Sequence, residues 1–343
     1  GLIGCGDAGR SKEAAETSRL DTLTQQLKLH PDSVDLRLAL VNEYIAFGDT
    51  VQALQTLDTA LTKHPYEPRV HFLRGSWHYI LGEDSLARAR LERALELGVD
   101  NAELYYQLGN VLVVQDSPRA ALLRYEQALE RDSTTPDYPF GKGLVHYKLG
   151  EEAQAYRWLG EAVSRDSSFI KALDLLFTIA LHDQEDTTAA KAWAEQLNQT
   201  APDHPVTTFH MGEYMQHQAD LLDRRNITQA EAKRRVSYLK GAVNAYSAAL
   251  NTAPSFLPAL YNRALANQDL GKNEEAVGDY ETMLRLAPND PRPSFQLGAI
   301  YEFYEEHERA LEYYRQALAA DSSMEEARAA VTELEAKLNT RTQ

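Results

Sequence analysis

The side chains in this chain that could do chemistry are spaced so that they cannot do it together. His71 and His78 stand seven residues apart, as do His210 and His217. Seven residues of helix rise about 10 Å, too far for two imidazoles to share a zinc ion at bonds of about 2 Å. Cys5 is the one cysteine in 343 residues, which excludes an intrachain disulfide and any multi-cysteine metal site. Carboxylate pairs recur at Glu83-Asp84, Glu151-Glu152 and Glu274-Glu275. Each falls near the start of an expected helix, where negative charge suits the positive end of the dipole. Gly141-Lys142-Gly143 lacks the rest of a phosphate-binding loop, and neither a G-x-S-x-G elbow nor an H-E-x-x-H helix is present. The expectation is therefore a protein that is not an enzyme, with no catalytic residue, no metal site and no cofactor.

The elements that position these side chains follow from one stretch, Asn101 to Thr134. Leu104, Tyr105, Leu108, Val111 and Leu112 recur at three- and four-residue spacings, one face of an amphipathic helix. Asp116, Ser117 and Pro118 break that helix, and Pro118 suits the first turn of the next. The second helix places Ala121, Leu122, Tyr125, Ala128 and Leu129 on one face. Two such helices cannot bury both faces alone, so copies of the unit must stack. The phase is kept along the chain. Gly75, Gly109 and Gly143 are 34 apart, as are Ala264 and Gly298; Ala53, Ala87, Ala121, Ala155 and Ala189 keep the same spacing, and so do Ala242, Ala276 and Ala310.

In period and in residues the chain resembles the tetratricopeptide repeat family. Leu108, Gly109, Ala121, Tyr125 and Ala128 fall at that family's bulky and small positions, as do Leu297, Gly298, Ala310, Tyr314 and Ala317, and Leu40, Tyr44, Ala53, Leu57, Ala60 and Pro65. The resemblance implies an all-α, right-handed α-solenoid of about eight repeats with N- and C-terminal capping helices. The repeats start near 34, 68, 102, 136, 170, 204, 257 and 291. Phe177 stands where a small residue is usual, and His71 and His78 stand where bulky apolar residues are usual. These substitutions put local packing in question but leave the fold as expected.

Residues 1–18 differ from the solenoid expected over 19–343. Leu2-Ile3-Gly4-Cys5 resembles the lipobox of bacterial lipoproteins, which implies acylation of Cys5 and a membrane held through the lipid. A polar tether follows, Gly6 to Ser18. Residues 19–29 read as the second helix of a truncated repeat that caps the N-terminal end ahead of the first full one, and 324–339 as a polar-faced C-terminal cap. Repeat six breaks the period with an insertion at 219–239. The capping-box spacing of Thr228 and Glu231 divides it into two lengthened helices, about 205–225 and 229–251. Their hairpin is basic in an otherwise acidic chain and is expected to project as a partner contact.

The formal net charge of −16 argues against a nucleic-acid partner. No apolar run approaches the length needed to span a membrane. In the resembled family the first helix of each repeat lines the concave face. The rings it would present here are Phe72, Tyr79, Tyr106, Phe140, Tyr147, Tyr261 and Phe295. Those positions lack the Lys, Arg and Asn set that grips a C-terminal carboxylate, so a carboxylate clamp is not expected. Rows of aromatics suit an extended peptide or a helix with apolar anchors, although the same rings could instead pack between neighbouring first helices. Family analogy points to a scaffold of the bacterial envelope that holds another protein or peptide in its groove. The alternative is a structural subunit of a larger envelope complex (secretion, pilus or cell-wall machinery), contacted through the convex face or the 219–239 hairpin.

Overall fold

The computed structural model describes residues 19–222 and 228–341, with side chains through Leu338. Among these residues every regular element is helical. After α1 (19–29), eight hairpins follow: α2 (Val34–Ala46) with α3 (Thr50–Lys63), α4 (Pro68–Ile80) with α5 (Asp84–Glu96), α6 (Ala102–Val114) with α7 (Pro118–Arg131), and α8 (Asp137–Lys148) with α9 (Glu152–Arg165). Then come α10 (Ile170–Thr178) with α11 (Thr187–Thr200), α12 (Pro205–Asp220) with α13 (Gln229–Thr252), α14 (Leu257–Asp269) with α15 (Asn273–Leu286), and α16 (Pro291–Phe303) with α17 (His307–Ala320). Helix α18 (Glu325–Arg341) follows the last hairpin. The chain divides into two compact units, Gly1–Asp166 and Ser167–Gln343. The lipobox residues, Cys5 and the tether lie outside the described residues.

The helix ends are written in the sequence. Asn101 accepts from the Leu104 amide, Asp49 from Gln52, and Asp186 from Thr188 and Ala189, which satisfies donors that a first turn leaves open. Pro68, Pro118, Pro205 and Pro291 occupy first-turn positions, where no N–H is needed. The first helix of most repeats ends in a left-handed residue at one fixed position. It is Gly48, Gly82, Gly150 or Gly271, or else Asp116 (φ 51°) or Glu305 (φ 61°). A residue in this conformation turns the chain back for the second helix.

Within a hairpin the helices meet across a glycine. The Tyr125 ring of α7 lies so close to Gly109 of α6 that a Cβ there would sit 2.6 Å from Cε1. The same approach recurs at Gly212 with Tyr246, at 2.5 Å, and at Gly298 with Tyr314, at 2.6 Å. A leucine can take the place of the tyrosine, as Leu91 does against Gly75 and Leu159 against Gly143. Between repeats, charged pairs hold the register. Arg74 pairs with Asp58 and Lys142 with Glu126, in each case sixteen residues back in the preceding repeat; Arg69 reaches Asp35 and Arg235 reaches Asp269, pairs one full period apart. The Phe177 substitution is absorbed: the ring is fully buried among Ala180, Leu181, Ala190 and Ala194. Just after it the helix widens into a π-turn, Ile179–Asp183.

The insertion in repeat six gives two long helices, though α12 ends at Asp220, earlier than the expected 225. Thr228 and Glu231 form the expected capping box at the start of α13. The basic tip at 223–227 lies outside the described residues. The base of the hairpin is core, which corrects the expectation of a purely projecting contact. Ala219 and Leu239 are fully buried against Ala266 of α14, with Tyr238, Val243 and Leu270 around them. The apolar face of the added turns is thus spent on the next repeat. Removing 219–239 and restoring the regular spacing should consequently lower the melting temperature by well over a few degrees. Leu239→Ala alone should cost about 2–5 kcal/mol in chemical denaturation. A loss below about 1 kcal/mol, the ordinary effect of a surface change, would show that the hairpin is not a brace.

Candidate functional site

All seven side chains expected to line the groove are half-buried. In the first unit, Phe72 and Tyr79 of α4 pack on Ala87, Leu91, Leu104 and Leu108. Tyr106 of α6 packs on Leu112, Ala121, Tyr125 and Val145. Phe140 and Tyr147 are on α8. Successive first helices touch, α4 with α6 and α6 with α8, so Phe72, Tyr106 and Phe140 occupy the same place on three adjoining helices. In the second unit, Tyr261 of α14 and Phe295 of α16 both lean on the core that contains Tyr280, Leu297 and Tyr314.

For Tyr106, Tyr261 and Phe295 the half-burial has one cause. A tyrosine on the second helix fills the interior of the repeat, and the ring on the first helix rests against it. The centroid separations are 6.0 Å for Tyr106 and Tyr125, 6.0 Å for Tyr261 and Tyr280, and 5.5 Å for Phe295 and Tyr314. These are tilted or edge contacts of the kind aromatic quadrupoles favour. The inner tyrosine reaches through to the first helix: Tyr125 Oη donates to Asn110 Oδ1 at 2.7 Å, Tyr280 Oη to Gln268 Oε1 at 2.6 Å, and Tyr314 Oη to Glu302 Oε2 at 2.9 Å. Burial pushes all three phenols far above their ordinary range, so they stay protonated donors. Tyr106, Tyr261 and Phe295 therefore stand on a rigid base and remain half-exposed. Beside Phe72 the first unit opens a hollow of about 440 Å³ between α2 and α4, lined by Leu38, Asn42, Asp35 and Arg69. In the second unit Arg292 lies 5.0 Å over Tyr261.

His71, His78 and His146 each have a local partner. His71 is buried with Nε2 2.9 Å from the Pro65 carbonyl. His78 meets Glu83 at 2.5 Å and His146 meets Glu151 at 2.6 Å, the same pairing two repeats apart. The turn carboxylates Glu83 and Glu151 thus serve as partners to these imidazoles as well as lying near a helix start. Among the described residues no group of three or more His, Cys, Asp or Glu side chains is arranged to hold a metal ion, and no helix is long and apolar enough to cross a membrane.

Sequence reasoning missed one polar centre, in the second unit. His210 of α12 is buried, with Nε2 2.6 Å from Asp174 of α10 and Nδ1 2.9 Å from Glu213. Its ring lies tilted against Phe177, centroids 4.1 Å apart. His182 of the π-turn approaches the other Glu213 oxygen at 3.5 Å. Burial alone would lower the His210 pKa, but the bonds to Asp174 and Glu213 outweigh it and hold the imidazole above its ordinary value. The bond to Glu213 likewise raises His182 against the effect of burial. Glu213 is pushed up by burial and further down by the two histidines, so it ends below its usual range. A raised histidine stabilises the fold fully below its unfolded pKa, and that stability is lost as pH rises through the folded one. A depressed carboxylate stabilises above its unfolded pKa, and that stability is lost as pH falls through the folded one. The centre should therefore stabilise most between about pH 4.5 and 6.5, the unfolded values for Glu and His. Melting temperatures above that window should fall more steeply for the native chain than for His210→Gln. Parallel pH profiles would contradict the assignment.

Models of the tetratricopeptide repeat match residues 7–76, 106–174, 221–291 and 292–324. The Arabidopsis thaliana Hsp70-Hsp90 organizing protein 3 is 23% identical over 236 residues, 64% of this chain and 42% of that protein, so this chain aligns with less than half of its relative. Among solved structures, the human IFIT1 dimer with m7Gppp-AAAA superposes with a TM-score of 0.63 at 15% identity, over 97% of this chain and 80% of that one. A tetratricopeptide repeat protein from Parabacteroides merdae gives 0.57 at 14% identity, over 78% of this chain and 98% of that one. At these identities the structural likeness is one of fold.

Proposed function

The chain belongs to the tetratricopeptide repeat family, and from that premise we propose that it is a non-catalytic scaffold of a bacterial envelope. In this reading the first helices of its repeats hold an extended peptide or a helix of another envelope protein. The observation that carries the reading is the recurrence of a half-buried ring at one repeat position, supported from behind by an inner tyrosine. Fixed rings offer contact area with little entropy left to lose. The acid excess favours a neutral or basic protein partner over a polyphosphate one. Affinity capture from the native envelope, with the ring variants discussed below as controls, tests the groove.

The anchor in this proposal is an acylated Cys5, supported by the Leu2–Cys5 pattern and the polar residues after it. A tether of about 13 residues reaches on the order of 45 Å when extended, enough to stand the repeats clear of the bilayer. Cys5→Ser should move the protein from the membrane to the soluble fraction and remove the acyl mass. A variant that stays in the membrane with unchanged mass would refute the anchor.

A second reading, a subunit held by its edge in a larger assembly, is favoured by one observation. Ile80, Leu81, Val114 and Leu149 are exposed at the turns between first and second helices of the first unit. Exposed apolar residues gathered along one edge mark contact surfaces.

A further inference from the structure

The edge of the first unit where first helices turn into second ones is apolar at every repeat. It exposes Phe47 and Val51, then Ile80 and Leu81, then Val114, then Leu149. The opposite edge, formed by the turns between hairpins, exposes Leu29 and Tyr66. Helices α4, α6 and α8 touch in succession, so the apolar side chains at their ends follow one another at the separation of packed helices, about 8–10 Å. Seven residues of α-helix rise about 10.5 Å, close to that spacing. An extended strand returns a side chain to one face at about 6.7 or 13.4 Å, which brackets the spacing without meeting it. The edge is also acidic. Glu83 and Glu151 face His78 and His146; apart from these, Asp49, Asp84, Asp116 and Glu152 stand there against Arg119 and Lys148. Asp116 occupies, at φ 51°, the left-handed position that Gly48, Gly82 and Gly150 fill in the other three repeats, where glycine would cost less. Its carboxylate has no hydrogen-bond or ion-pair partner among the described residues.

We propose that this edge takes an amphipathic helix of another protein, with apolar residues repeating every seven positions and lysine or arginine beside them. The helix lies across the row of turns, so each heptad of its apolar stripe meets the exposed side chains of one repeat, and a cation beside the stripe reaches Asp116. Burial of apolar surface on both sides supplies the affinity. The unpaired carboxylate sets the sign of the charge that the partner carries and turns away an anionic surface. The proposal rests on the second reading, in which the protein is held by its edge, and adds the form, the period and the charge of what holds it.

The test titrates fluorescein-labelled peptides of about three heptads with the full chain and follows anisotropy. The probe carries leucine at the a and d positions and lysine or alanine elsewhere. One control shuffles the same residues so that no apolar face forms, and a second replaces lysine by glutamate. The probe should bind, and both controls should bind about ten-fold or more weakly. Ile80→Ser with Val114→Ser should weaken the probe by a similar factor, as for the loss of central anchors. The melting curve should not change, because these side chains are 67% and 57% exposed. Tyr66→Ser, on the opposite edge, should bind as the native chain does. Asp116→Gly should raise the melting temperature and yet weaken binding by about two- to five-fold, the worth of an exposed ion pair. Equal binding of either control peptide, or undiminished binding by the double variant or by Asp116→Gly, overturns the proposal. Native-gel migration of the full chain from its own cells separates this outcome from failure of the edge reading. If the double variant leaves its assembly while the probe is ignored, the edge stands and the helix fails; if the variant stays in its assembly, the edge reading itself fails.

Discussion

Tyr125→Ala is expected to lower the unfolding free energy by about 3–5 kcal/mol, the range for deleting a fully buried aromatic ring. The ring is 1% exposed and is held on two sides by backbone without side chains, since added Cβ atoms at Gly109 and Gly141 would lie 2.6 and 2.8 Å from it. Truncation therefore empties a slot that neighbouring side chains cannot refill. The complementary change is sharper in sign. Gly→Ala in a helix interior ordinarily stabilises by roughly 0.5–1 kcal/mol. Gly160→Ala and Gly278→Ala should do so, because an added Cβ meets nothing within 4 Å at either site. Gly109→Ala should instead destabilise by about 1–3 kcal/mol, since the Tyr125 ring is hemmed in by Gly141 and cannot retreat. Denaturant midpoints of the three glycine variants decide the matter. A stabilised Gly109→Ala would mean that the ring is looser than its surroundings indicate.

Joint replacement of Phe72, Tyr106 and Phe140 by alanine should abolish partner capture and also cost stability, on the order of 5 kcal/mol in total. That total takes each half-buried ring at about half the cost of a fully buried one. Because both effects have the same origin, alanine cannot separate them, and the leucine series does. Leucine retains an apolar body against Leu91 and Tyr125, so each Leu variant should lose less than about 1.5 kcal/mol. It removes the flat outer face, so capture should still weaken by about 2 kcal/mol for a central ring. Leu variants that bind as well as the native chain would make the row packing and nothing more. Tyr106→Phe separates hydroxyl from ring: Asn110 bonds to the Tyr106 hydroxyl as well as accepting from Tyr125, so about 0.5–1.5 kcal/mol of stability should be lost while capture, carried by the ring, changes little.

The fold was legible because its determinants are local and repeat. Proline and cap residues mark helix starts, alanine and glycine mark close approach, and the capping box of Thr228 and Glu231 appears where its spacing placed it. The half-burial of the outer rings was not legible. Whether Tyr106 is covered depends on how deep Tyr125 sits, and that depends on the empty Cβ position at Gly109; no one of the three residues states the outcome. The buried base of the hairpin escaped for a related reason. Ala219 and Leu239 read as ordinary members of long polar helices, and only the position of Ala266 on the next repeat covers them. The polar centre was hidden by distance along the chain. Asp174 and His210 are 36 residues apart and fall in different repeats, and the π-turn that delivers His182 has no signature of its own. Repeat periodicity predicts what every repeat does and is silent where one repeat differs.

The charged pairs that join neighbouring repeats bear on how such a chain can change. Arg74 with Asp58 and Lys142 with Glu126 each place one partner on either side of a repeat boundary. Lys142 is the clearest case: it is 7% exposed, and besides Glu126 it lies over the Trp158 ring at 3.6 Å. A recombination event that exchanged the repeat carrying Glu126 for another would keep every helix and every small residue in place. It would nonetheless strand a nearly buried ammonium without its carboxylate, at a cost below that of a fully buried pair, about 3–5 kcal/mol, because Glu126 itself is half exposed. Repeats that look interchangeable in period are therefore not interchangeable in inheritance. Viable crossovers must carry adjoining repeats together or fall where the facing residues are uncharged, and the pattern of half-pairs along the chain marks which repeats have to travel as neighbours.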